Sequence, residues 1–249
     1  MKKTALILVL TLILGCLIGC QRDDAVLEES KTYSISSDIH SLDISILTAN
    51  FVIKHAEALY IESNLKHLEV TEENGILTVK DNSKSNSNFN NATFTLHIPA
   101  DKVFEDIDIS TGAAKLTAES ISTKSLELKV GAGDVRFKCL NVTSKTDIEG
   151  GAGQISILDG EINDLTLKMG YGELNLTASL LGSSDLEFGV GQSNITILGG
   201  KDNYKIDIVK GVGSIYVDGD NLSESSNIGN GKNKIEISGG VGAINIIFK

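Results

Sequence analysis

The sequence predicts an all-β chain, a single elongated, parallel, right-handed β-solenoid with rungs of about 19–20 residues. Three observations lead there. First, a short motif returns: apolar strand, glycine bend, apolar strand, as in VGAGDVRF from Val130, GGAGQISI from Gly150, MGYGELNL from Met169, FGVGQSNI from Phe188, KGVGSIYV from Lys210 and GGVGAINI from Gly239. The leading glycines Gly131, Gly151, Gly170, Gly189, Gly211 and Gly240 are separated by steps of 20, 19, 19, 22 and 29. A degenerate copy, TGAAKL, starts at Thr111. Second, the copies align in columns. Three residues before the glycine stand Ile109, Leu128, Ile148, Leu167, Leu186, Ile208 and Ile237. Four after it stand Leu116, Val135, Ile155, Leu174, Ser193, Ile215 and Ile244. Apolar and polar residues alternate within each copy, the period of a strand. Third, a second glycine follows two residues on, at Gly133, Gly153, Gly172, Gly191, Gly213 and Gly242. A fixed period near twenty with strand patterning is the signature of stacked turns, since one turn alone cannot bury its apolar edge. Paired glycines suit a corner over which the next turn lies close. Each Gly-x-Gly leads into a strand pattern and none into a helix, so a phosphate-binding loop is not expected.

Taken in order, residues 1–19 read as a signal peptide: Lys2 and Lys3, then an apolar run from Thr4. Leu17-Ile18-Gly19-Cys20 resembles the bacterial lipobox. The resemblance implies cleavage before Cys20 and a diacylglycerol on that cysteine, hence attachment to the membrane through a lipid and localisation on its extracytoplasmic face. Residues 20–33 are polar and acidic, and read as a flexible tether. Residues 34–104 carry short alternating segments such as SLDISIL and GILTVKD, expected to be irregular N-terminal rungs. Within them DNSKSNSNFNNA (81–92) reads as a mobile loop. Residues 105–249 are the regular rungs, with DGDNLSESSNIGNGKNK (218–234) as a loop insertion and INIIFK as a final strand with a free edge open to end-to-end self-association.

With the lipobox, FVIKH, LTVKD, FTLHIP and the repeated bends in this order, residues 40–249 resemble the bacterial "putative adhesin" domains of unknown function, close to the head-GIN and toast-rack domains. The resemblance implies a β-solenoid on the cell envelope and carries over no catalytic residue.

The functional reading is a non-enzymatic envelope lipoprotein, an adhesin-like module with no cofactor, whose partner is an envelope or extracellular protein or a glycan. Alternatives are a self-assembling envelope scaffold and an accessory protein of an envelope-stress signalling system. The net charge of −11 argues against nucleic acid as a partner. Enzymes on this architecture need a groove with convergent acids or a basic residue. The rungs hold no Trp and a single arginine, Arg136. Asp108, Glu127, Asp147, Asp185, Asp207 and Glu236 form an outward acidic column, a candidate low-affinity cation ladder. Calcium prefers six to eight converging oxygens, and no Asp-x-Asp-rich loop supplies them. A solvated charged face is therefore the expectation. His40, His55, His67 and His97 lack metal-ligand spacing and are expected at surfaces or strand ends. Cys139 is expected to be a small buried apolar residue without a disulfide partner.

Overall fold

The computed structural model describes residues 27–83 and 91–249. The expected signal peptide, Cys20 and most of the Ser/Asn-rich segment lie outside the described residues. Among the described residues the chain is all-β, with one short 3-10 turn at Lys201–Asn203, and every strand belongs to one continuous sheet system.

The N-terminal part comprises β1 (Leu27–Ser34), β2 (Ser41–Ile46), β3 (Asn50–Ala56), β4 (Tyr60–Leu65), β5 (Leu68–Glu73), β6 (Ile76–Asp81) and β7 (Thr93–Pro99). The pairs β2–β6 and β3–β7 are parallel, so 41–56 and 76–99 form two stacked levels. Three pairings here are antiparallel: β1–β4, β4–β7 and β5–β6. Residues 27–33, expected as tether, are therefore strand. LEESKTYS reads as tether because it is an edge strand: one long side is unpaired, and its side chains are largely solvated. Charged residues on such an edge discourage further strand addition, and Glu28, Glu29 and Lys31 occupy it.

The middle is the regular stack: β8 (Val103–Thr111), β9 (Lys115–Ile157), β10 (Gly160–Asn163), β11 (Leu165–Leu181) and β12 (Ser183–Ile197). All pairings between these strands are parallel. Thr166 faces Asp147 on one side and Asp185 on the other, and Leu167 likewise faces Ile148 and Leu186. The inward columns are buried throughout, Ile109, Leu128, Ile148, Leu167 and Leu186 each at 0% exposure. Val79 and Ile44 continue this column into the N-terminal levels. Along the neighbouring column a large residue compensates for a small one. Ala118 pairs with Ile53 and shares its column with Phe137, all three buried. Ser193, the polar member of the columns, is buried between Leu174 and Ile244.

The C-terminal part overturns two expectations. It comprises β13 (Tyr204–Val209), β14 (Val212–Val217), β15 (Asp220–Leu222), β16 (Ser226–Ile228), β17 (Asn233–Ser238) and β18 (Val241–Phe248). β12 does not pair with the rung that follows it. It pairs, in parallel, with β17 and β18. These in turn pair with β13 and β14. The last rung in sequence is therefore inserted beneath the penultimate one, and INIIFK has no free edge. Backbone hydrogen bonds fix the insertion on both sides: the Lys249 N–H donates to the Ile197 carbonyl (2.9 Å) and the Asp218 N–H to the Ile246 carbonyl (2.9 Å). Nor is 218–234 a plain loop. β15 and β16 run antiparallel on β14 and β13 and cover the outermost rung. The sheet is thus mixed rather than wholly parallel, with the antiparallel strands gathered at the two ends, where they pair edges that a bare stack would expose.

Candidate functional site

The exterior of the stack is a set of ruled faces, and each face follows from the bend. A Cβ placed on Gly170 would stand 2.6 Å from the carbonyl oxygen of Gly151 one level below. Gly172 has φ 142°, a conformation side-chain-bearing residues rarely adopt, and a Cβ there would press on the Gly153 carbonyl. The first glycine is thus needed for close approach and the second for backbone geometry as well. The residue between them points outward and is unconstrained.

On one side of the bend lies the acidic column. Asp43 pairs with Asp108, and Asp108 with Glu127. Farther along, Asp147, Thr166, Asp185, Glu236 and Asp207 pair in that spatial order. The structure extends the predicted ladder by Asp43 and exchanges the places of Glu236 and Asp207. Two residues on, Lys168 Nζ reaches Glu187 at 3.6 Å, and Lys129 is paired with Glu127. Among the described residues no three acids, imidazoles or thiols are grouped as a metal ion requires.

Burial pushes the Asp108 carboxyl above its ordinary value, the Glu127 and Asp43 carboxylates push it in the same direction, and Lys129 opposes them. The folded state therefore holds this proton more tightly than the unfolded chain. Its contribution to stability falls as pH rises from the ordinary aspartate value of 3.8 through the raised folded value. Asp108→Asn is expected to raise Tm at pH 7 by roughly 1–2 °C, with the difference vanishing once the pH is below the ordinary value. An unchanged or lower Tm at pH 7 in a calorimetric pH series would count against the crowding.

On the other side of the bend lies a face that sequence reading did not single out. Five residues after the leading glycine of the last four bends stand Asn175, Asn194, Asn245 and Tyr216, adjacent in that order. Asn194 Nδ2 donates to Asn175 Oδ1 (2.9 Å) and Asn245 Nδ2 donates to Asn194 Oδ1 (2.9 Å). Asn175 Nδ2 donates to Glu173 Oε1 (2.8 Å) and Gln192 Nε2 to Asn194 Oδ1 (3.2 Å). The column alignment that found the core holds the signal for this ladder, one position over.

The histidines sit at the N-terminal end, where His40, His55 and His97 pair with glutamates and His67 is exposed in the turn between β4 and β5. His97 is buried within β7, contrary to expectation, stacked on Tyr60 (3.8 Å between ring centroids) with Nε2 2.8 Å from Glu62. His40 lies 3.4 Å from Glu105 and His55 3.9 Å from Glu119. Lys124 donates a hydrogen bond to Glu105 and holds its carboxyl low, with the nearby His40 adding to the effect. The His55 backbone N–H, then Lys138, do the same for Glu119. Cys139 is a free thiol, half-buried rather than buried, because the alternation of buried positions shifts by one between Phe137 and Leu140.

Comparison with known proteins agrees with the architecture. The solved structure of a protein named "putative adhesin", from Bacteroides fragilis, is 16% identical, covers 87% of this chain and 95% of its own, and superposes with a TM-score of 0.50. A second "putative adhesin", from Parabacteroides distasonis, is 13% identical over 87% of this chain and 95% of its own, with a TM-score of 0.47. No curated protein matches. The profile of the Toastrack family of unknown function matches residues 34–246, nearly the whole described body. On that match the chain belongs to the Toastrack DUF4097 family.

Proposed function

We propose that this protein is a non-enzymatic, adhesin-like binding module of the cell envelope, held to the membrane by a lipid on Cys20. One observation carries the reading, the polarity of the stack. Among the described residues β1 pairs only with β4, at the outermost N-terminal level, and the regular rungs lead away from it. Cys20 precedes Leu27 by a few residues, a span of roughly 20 Å when extended. A lipid there would hold the rod by one end and present its far rungs to the exterior. The Leu-Ile-Gly-Cys box, the net charge of −11 and the word "adhesin" in the neighbour's name support the same role. We take the winding as right-handed, as parallel crossovers are, with about 19–20 residues per turn, in keeping with the partners of Thr166. Among the described residues both ends carry short or charged antiparallel strands, which disfavours assembly through the ends.

Feeding cells a radiolabelled fatty acid tests the attachment. The wild-type protein is expected to take up label and sediment with membranes, and Cys20→Ala to lose both. Label that persists in Cys20→Ala, or protection of the wild type from protease added to cells whose outer layers have been opened, would contradict the reading.

A further inference from the structure

In a solenoid only the inward columns and the bend glycines are dictated by the fold. Outward positions are free, so a change of chemistry partway along the rod needs a cause of its own. One occurs at Tyr171. Toward β1, the residue in the middle of the bend is Ala113, Ala132 or Ala152. From there on it is Tyr171, Val190, Val241 and Val212, adjacent in that order and 66%, 44%, 51% and 73% exposed. The sheet face beside it changes over the same interval. On the β1 side its outward residues include Lys115, Glu119, Asp134, Arg136 and Lys138, with Lys138 and Glu119 in an ion pair of 3.2 Å. On the far side they are amides, hydroxyls and aliphatic groups, with Tyr216 at the end. The exceptions are Glu173, whose Oε1 accepts from Asn175, and, at the far margin, Asp218, which pairs with Lys201 at 3.8 Å. A chain carrying 33 acidic side chains thus keeps only two of them, each tied to a neighbour, on one continuous face and lines its edge with exposed apolar groups.

Resting on the binding role proposed above, we infer that this far face, from Tyr171 and Asn175 to Val212 and Tyr216, is the binding site and that its ligand is an uncharged, extended polysaccharide. The amide ladder supplies the polar half of the recognition. An Asn side chain has two N–H donors and a carbonyl with two acceptor positions. Asn194 spends one donor on Asn175 and accepts from Asn245 and Gln192, which leaves a second N–H. The inter-rung bonds fix each amide before a ligand arrives, so little side-chain freedom is lost on binding. Sugar hydroxyls, each both donor and acceptor, match such a row. The ridge supplies the apolar half: Tyr171 and the valines can lie against the C–H faces of sugar rings, as apolar walls with a few placed polar groups do in ligand sites generally. A charged polymer would find no row of counter-charges here, since Glu173 is held by Asn175 and Asp218 by Lys201. The levels repeat at ~4.8 Å, so a ligand with its own short repeat meets equivalent groups along the rod.

The test uses the full acylated protein in detergent micelles. Dextran, xylan and mannan are immobilised beside polygalacturonate, and binding is followed by interferometry. At least one neutral polysaccharide is expected to bind, insensitive to salt. Asn194→Asp, which keeps the shape, replaces the donors and adds charge, is expected to weaken it at least tenfold. Tyr171→Ala should weaken it several-fold, and Arg136→Gln, on the same column nearer β1, should leave it unchanged. Should Asn194→Asp alter the thermal melt, the exposed Gln192→Lys serves in its place. Binding to none of the three neutral polymers, preference for polygalacturonate, or indifference to the far-face substitutions overturns the inference. A photo-cross-linker at Val190 in intact cells separates the two levels of the proposal. An adduct with an envelope protein overturns the glycan and leaves the binding module standing. Absence of both adduct and polysaccharide binding removes both.

Discussion

Gly172→Val is expected to abolish soluble protein. Two costs act together at that position. The backbone sits at φ 142°, where a β-branched residue is strained by roughly 1–3 kcal/mol. The new Cβ would also press on the Gly153 carbonyl, a backbone group in the level below that cannot swing aside. Overpacking of that kind costs a further 1–3 kcal/mol or so and often more. A sum of about 4 kcal/mol is a large share of the 5–15 kcal/mol that holds an ordinary domain together. Gly170→Val lacks a positive φ and meets only the Gly151 carbonyl at 2.6 Å, so its effect should be smaller though still severe. Ala132→Val is the control. It occupies the outward middle of the bend, where Val190, Val212 and Val241 stand natively, and should melt within about 1 °C of wild type. Expression and melting of the three variants decide the matter: soluble Gly172→Val with wild-type melting would refute the corner.

Ending the chain at Lys232 is expected to do comparable damage for a different reason. The missing β17 and β18 bring Ile235, Ile237, Ile244 and Ile246 into the core, none more than 5% exposed. At about 1.5–3 kcal/mol for each buried aliphatic side chain, the four together amount to roughly 6–12 kcal/mol, comparable to the whole stability of an ordinary domain. The gap would also fall inside the stack. β12 would lose its neighbour, and β13 and β14, with the β15–β16 cover, would have nothing to pair with. In a repeat array each level is stabilised by the levels it touches, so 204–232 should lose hydrogen-exchange protection entirely. The uncovered β12 edge should drive aggregation. A truncated protein that stays monomeric, with 204–217 protected, would mean that β13 and β14 can rest on β12 directly.

The truncation also shows where sequence reading stops. Columns were legible because burial dictates them: Leu128, Ile148 and Leu167 announce an inward position whatever lies above or below. Their spatial order was not. Ile208 and Ile237 fit one column equally well, and a parallel register aligned on glycines looks the same whichever rung is next. The step of 29 marked something unusual at 218–234, but β15 and β16 are three residues each, too short and polar to read as strands. β1 was hidden for the same reason: an edge strand with one solvated side has the composition of a tether. His97 was misplaced because its burial depends on Tyr60 and Glu62, which come from another strand. The asparagine ladder lay within the alignment, unnoticed because outward positions carry no pattern that folding demands.

A pair of engineered disulfides tests the stacking and its order together. In a Cys139→Ala background, cysteines replace Asn194 and Asn245, or Asn194 and Tyr216, in otherwise identical chains. Neighbouring levels stand ~4.8 Å apart, within the Cα separation of about 4.4–6.8 Å that a disulfide bridges, whereas residues two levels apart do not qualify. Since Asn194 pairs with Asn245 and Asn245 with Tyr216, the 194–245 pair is predicted to oxidise readily in the folded protein and the 194–216 pair to remain reduced. Ready oxidation of 194–216 with 194–245 left as free thiols would contradict the interleaved stack.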